Sequence, residues 1–186
     1  MRDRAMTRLR ETGLVDGDDY ETTLTTDDGL ELRVWLRLLT CANLIERRVR
    51  QNLRVAFDTT LPRFDLLAQL DRAPDGLTMG DLSRRLMVSN GNVTGLIDRL
   101  VSEGLVARHP APGDRRAQLV RLTAAGKRAF DAMTPAHAGW IDDMLSGLDR
   151  ADMTALFDLL ARLKTSLTAE AGTDSEGTRL ERKTGS

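Results

Sequence analysis

The sequence predicts a mainly α-helical chain with one small β-hairpin. Three observations carry this. Apolar residues recur at spacings of three and four through most of residues 30–168. Two short stretches, LVARH at 105–109 and AQLVRL at 117–122, alternate as strands do. A Pro- and Gly-containing loop, PAPGDRR, joins them. With 186 residues, 41% hydrophobic, 30% charged and 4% aromatic, the chain is large enough for one core and carries a heavily solvated surface.

Each element has its local reason. Residues 1–29 mix charge, Thr and Gly with few large apolar groups and read as a partly ordered arm. Over 30–60, Trp35, Leu38, Ala42, Ile45, Val49 and Leu53 form one apolar stripe on a long helix. Pro62 suits the first turn of a short helix carrying Phe64, Leu67 and Leu70. APDG at 73–76 is a turn, and Thr78 with Asp81 three residues on is a capping box opening a helix through Leu86. Ser89 or Asn90 caps the next helix, which runs to about Glu103 and ends at Gly104. After the hairpin, with its long tip, Thr123 caps a helix over about 124–146 and Asp149 caps the last one. There Met153, Leu156, Leu160, Leu163 and Leu167 step by three, four, three and four, a narrow seam suited to another helix or another subunit. Residues 169–186 have the composition of a disordered tail.

Short helix, tight turn, amphipathic helix, strand, loop, strand is the order of a winged helix-turn-helix. The segment SNGNVTGLIDRLVSEGLV buries Val93, Leu96, Ile97, Leu100 and Val101 and keeps its first turn small and polar. A helix entering the major groove needs this combination. Ser89, Asn90, Asn92, Val93, Thr94 and Arg99 are the candidate DNA contacts on it, and Asp114, Arg115 and Arg116 those of the wing. Asn90 also reads as a cap, and Arg115 and Arg116 as a solvated turn. Gly91 and Gly95 permit close backbone approach, either to DNA or to the preceding helix. From Thr78 to Arg128 nine basic residues face four acidic ones, a net +5, which leaves −6 for the rest of a chain whose total is −1. A basic module in an acidic frame suits phosphate binding.

Other classes recede. Cys41 is the one cysteine, so no disulfide forms within the chain and no cysteine metal cluster is available; it is a core residue or a redox-sensing thiol. The sequence contains no His-Glu-x-x-His, phosphate loop or dinucleotide fingerprint, and its two His leave little for catalysis. An enzyme, a cofactor and a metal are not expected. No secretory segment opens the sequence and no apolar run reaches the roughly 18 residues of a membrane span. A cytoplasmic protein without a membrane partner is expected.

The stretch LTMGDLSRRLMVSNGNVTGLIDRLVSEGLVARHPAPGDRRAQLVRLTAAGKRAF resembles the winged-helix core of the MarR family of bacterial transcription regulators. Within it, Asp114, Arg115, Arg116, Leu122, Thr123, Gly126 and Lys127 match the wing signature and the start of the following helix. The resemblance covers about residues 30–168. It implies a homodimer built by a first dimerisation helix at 30–60 and C-terminal dimerisation helices at 124–168, with a DNA-binding lobe at 61–123. It implies a repressor on a palindromic operator of double-stranded DNA. It also implies a small effector between the dimer helices and that lobe, where Trp35, Arg37, Phe64, His137 and Trp140 are candidates or, in the other reading, core and surface residues. LPRFDLLAQLDRAPDGLTMGDLSRRLMVSNGNVTGLIDRL is similar to members that answer to aromatic acids or their coenzyme A thioesters, such as a hydroxycinnamoyl-CoA. Arg47, Arg48, Arg50 and Arg54 would then hold coenzyme A phosphates or pair with acids of the partner helix. Cys41 oxidation is the alternative trigger.

Overall fold

A computed structural model describes the backbone of residues 29–111 and 114–181 and the side chains of 29–111 and 118–169. The chain divides into two compact units, one up to Ile141 and one from Asp142 onward. The elements are α1 (Leu30–Phe57), α2 (Leu61–Asp71), β1 (Leu77–Thr78), α3 (Met79–Leu86), α4 (Asn90–Ser102), β2 (Val106–Ala111), β3 (Asp114–Leu122), α5 (Ala124–Leu145) and α6 (Arg150–Glu181). The N-terminal arm lies outside the described residues up to position 28.

The core of the first unit gathers on α2. Its Phe64, Leu66, Leu67 and Leu70 are all buried, so both flanks of this helix are covered and its periodicity is weak. Val49 and Leu53 from α1, Leu82 from α3, Val93, Ile97 and Leu100 from α4, Phe130 and Met133 from α5, and Leu77, Val106 and Val120 from the three strands complete the core. The N-terminal part of α1 is different: Leu30, Leu32, Val34 and Trp35 are exposed there.

Local chemistry sets the helix starts. Thr78 Oγ accepts from the Asp81 amide at 3.1 Å while the Asp81 carboxylate accepts back from Thr78. Ser89, not Asn90, caps α4. Thr123 Oγ accepts from the Gly126 amide at 3.0 Å and donates to the Gly104 carbonyl at 2.6 Å. Asp149 accepts from the Ala151 and Asp152 amides at 2.8 and 2.9 Å.

The hairpin is part of a three-stranded antiparallel sheet in the order β1-β3-β2. Strand β1 pairs Leu77 with Val120 and Thr78 with Leu119. Gly76 turns the chain into it at φ +90, and a Cβ there would stand 3.0 Å from the Val120 carbonyl oxygen. The expected long tip is corrected: β2 runs through Pro110 to Ala111 and β3 starts at Asp114. Pro110 is admitted because β2 is an edge strand, and the register shifts between Pro110 and Ala111. The expected tail is corrected too, since α6 continues to Glu181. No proline interrupts residues 169–181, and extending a nucleated helix adds one hydrogen bond per residue despite polar composition.

Gly126 joins the wing to α5. A Cβ at this position would lie 1.9 Å from the Leu105 carbonyl oxygen, a backbone atom that also accepts from the Thr123 amide at 3.1 Å. Gly126→Ala therefore should lower stability by about 1–3 kcal/mol, as overpacking does. Urea unfolding measures this. The opposite result, the gain of up to about 1 kcal/mol that Ala brings over Gly in a helix with open space, would contradict the close packing.

Candidate nucleic-acid interface

Helices α3 and α4 form the helix-turn-helix. Ser89 Oγ accepts from the Asn92 amide at 3.4 Å, and Asn90, Gly91, Asn92, Thr94 and Gly95 are exposed on the first turns of α4. Beneath them Val93, Ile97 and Leu100 are fully buried, each contributing about 1.5–3 kcal/mol of apolar burial. Two expectations change here. Val93 belongs to the core and cannot reach a base, because the same period that buries Ile97 and Leu100 points it inward. Leu96 is half-buried and Val101 is exposed, so the buried stripe is narrower than its apolar residues suggest.

The exposed side of α4 has two flanks. Asn90, Thr94 and Asp98 repeat every fourth residue along one. Thr94, which is exposed, donates its hydroxyl to the Asn90 carbonyl at 2.9 Å, which leaves the hydroxyl oxygen able to accept. Asp98 accepts from Arg108 of β2 at 2.6 Å and so ties the wing to this helix. At the far end Arg63 of α2 grips Glu103 with two hydrogen bonds. That contact holds the Glu103 carboxyl below the usual range and the Arg63 guanidinium above it. Of the wing residues, Asp114, Arg115 and Arg116 begin β3, and their side chains lie outside the described residues.

The other flank faces a cleft of about 600 Å³. Its walls include Glu46 and Arg50 of α1, Pro62 and Asp65 of α2, and Asn92 and Arg99 of α4. Gly91 and Gly95 also line it, and a Cβ at either would meet nothing within 4 Å. Close approach to the preceding helix is therefore not what these glycines provide. Arg50 is paired with Glu46 within α1. Asp65 is half-buried, and burial together with the nearby Glu46 carboxylate holds its carboxyl above the usual range, partly offset by Arg50.

None of Trp35, Arg37, Phe64, His137 and Trp140 lines this cleft. Phe64, His137 and Trp140 instead join Phe57 and Phe130 in an aromatic cluster, with His137 stacked on Phe64 at 4.6 Å and Trp140 at 6.1 Å from Phe57. Burial there holds the His137 imidazole below its ordinary pKa. Trp35 is on the exposed part of α1. Cys41 is exposed as well, which corrects its reading as a core residue. Sequence reasoning missed Glu46 and Asp65. The signal for Asp65 was an acid inside the apolar helical run PRFDLL.

The MarR family profile matches residues 57–117, from the end of α1 into β3. The transcriptional activatory protein BadR of Rhodopseudomonas palustris is 32% identical over 147 residues, which are 76% of this chain and 83% of BadR. The chain belongs to the MarR family. The crystal structure of a MarR family transcriptional regulator from Silicibacter pomeroyi is 33% identical with a TM-score of 0.63, over 74% of this chain and 94% of that one. BpsR of Bordetella bronchiseptica shares the fold at 24% identity and a TM-score of 0.63, over 71% of this chain and 98% of its own. As a MarR-family protein this chain is a DNA-binding, ligand-responsive transcriptional regulator, not an enzyme. No described helix is long and apolar enough to cross a membrane.

Proposed function

We propose that this MarR-family regulator is a cytoplasmic homodimer that represses transcription from a palindromic operator and is released by an aromatic acid or its coenzyme A thioester. DNA is met by Ser89, Asn90 and Thr94 of α4 and by Arg115 and Arg116 of the wing. One observation carries the coupling. A single helix, α4, presents Asn90 and Thr94 on one flank and walls the cleft with Asn92 and Arg99 on the other. An occupant of the cleft therefore touches the DNA-reading helix itself. A ligand that favours one placement of α4 shifts the equilibrium between DNA-competent and incompetent states, and only that difference in affinity acts. Arg99 supplies the charge for a carboxylate, and Leu61, Pro62 and Leu96 supply apolar walls.

This placement moves the effector from the aromatic residues expected at first to the α4 cleft. The choice of an aromatic acid is supported by BpsR, whose DNA binding is regulated by 6-hydroxynicotinic acid. BadR is named an activatory protein, which favours activation as the second reading of the transcriptional outcome. Calorimetric titration of the DNA-free protein with benzoate, a hydroxycinnamate and their coenzyme A thioesters tests the site. Arg99→Ala should weaken binding of the acid about tenfold, the loss of one charge-assisted hydrogen bond. Unchanged affinity in that variant would move the site out of the cleft.

A further inference from the structure

The turn between α3 and α4 carries an apolar side chain that the fold does not use. Met87 is 93% exposed, although a methionine is ordinarily a core residue. Its backbone sits at φ 54, in the left-handed region where a residue with a Cβ is strained by roughly 1–2 kcal/mol and where Gly or Asn would be easier. The position is also held in place. The Met87 amide donates to the Arg84 carbonyl at 3.3 Å, the Val88 amide to the Ser83 carbonyl at 3.2 Å, and Ser83 Oγ donates to the Val88 carbonyl. The thioether is thus projected from a fixed turn, two residues before Ser89, the cap of α4. It is absent from the walls of the cleft, so the effector is not its partner. The left-handed backbone has a place in the fold, since it ends α3; the exposed thioether has none, and it points to a contact made in the bound state.

We propose that Met87 is a specificity-determining residue that packs its thioether on the 5-methyl group of a thymine beside the bases read by the first turn of α4. The inference rests on α4 being the DNA-reading helix. The partner follows from continuity with that surface: among the groups on major-groove base edges, the thymine methyl is the apolar one. Met87 then reads a base pair that the polar residues of α4 do not.

The test uses the full-length chain and the duplex it selects from a randomised pool. Thymines of that duplex are replaced by deoxyuridine one at a time, symmetrically in the two half-sites, which removes only the methyl. Affinities are read by fluorescence anisotropy. For the parent, one thymine position should be sensitive, losing about fourfold per methyl, the equivalent of about 0.8 kcal/mol for one buried methyl-sized group. Met87→Gly and Met87→Asn suit the left-handed backbone and should keep or raise the melting temperature. Both should bind the thymine duplex as weakly as the parent binds the uracil one, with the difference between the two duplexes gone. Thymine sensitivity that is the same in parent and variants, or absent at every position, overturns the assignment of Met87 while leaving DNA binding intact. A parent that selects no sequence overturns the reading of α4 on which the assignment rests.

Discussion

Replacing Arg115 and Arg116 together by alanine is expected to weaken binding to every DNA sequence alike, by about tenfold for each arginine lost. The reason is the kind of contact. A guanidinium on a phosphate or in the minor groove carries a charge-assisted hydrogen bond and displaces a condensed counterion. Each lost phosphate contact should reduce the slope of log affinity against log salt by about 0.9, so the double variant should be flatter by nearly two. Both residues open β3, the strand held between β1 and β2 in the sheet, and Arg108 on β2 is anchored to Asp98 of α4. The wing thereby has a fixed base. Anisotropy titrations at several salt concentrations measure both quantities. Full affinity at physiological salt would remove the wing from the interface. A loss confined to one sequence would mean that these arginines read bases.

A charge in the seam of α6 is expected to abolish tight operator binding without touching the DNA-reading surface. Leu160 and Leu163 are 39% and 40% exposed, and Phe157 is 72% exposed, on a helix whose apolar residues continue to Leu167. Such a row of large apolar groups is the surface that a second copy covers in the proposed homodimer. Leu160→Glu or Leu163→Glu should convert the dimer to a monomer in sedimentation velocity. Operator affinity should then fall by roughly a hundredfold or more, because the two half-sites are no longer bound in one intramolecular event. A monomeric variant that keeps the parent's affinity would refute the two-fold arrangement. The same arrangement places the two recognition helices about one turn of DNA apart, roughly 34 Å, and so requires an imperfect palindrome.

What the sequence reveals follows the range of the forces involved. The caps at Thr78, Ser89, Thr123 and Asp149 are contacts between a side chain and backbone amides two or three residues away, and all four are readable from local pattern. So is the order of helices and strands. Strand β1 is only two residues long and pairs with Val120 and Leu119 across more than forty positions, so it has no local signature. Burial of Leu66 likewise depends on what covers the second flank of α2. The cleft is the largest omission. Glu46, Asp65 and Arg99 come from three helices and meet only when these pack. The aromatic residues Phe64, His137 and Trp140 lie instead against each other and against the neighbouring rings of Phe57 and Phe130. Val93 shows the converse. Its spacing with Ile97 and Leu100 already placed it inside, and its position near the cap made it look like a DNA contact.

The most direct test of a ligand-responsive DNA reader is an anisotropy titration of a duplex from upstream of the protein's own gene, at physiological salt, with and without an aromatic acid or its coenzyme A thioester. The predicted result is saturable binding to a palindromic segment, at least a thousandfold tighter than to random duplex, and weakened about tenfold or more by one of the two ligands. Affinity no better than for random DNA would contradict the account of α4 and the wing. Specific binding that neither ligand changes would contradict the coupling through the cleft.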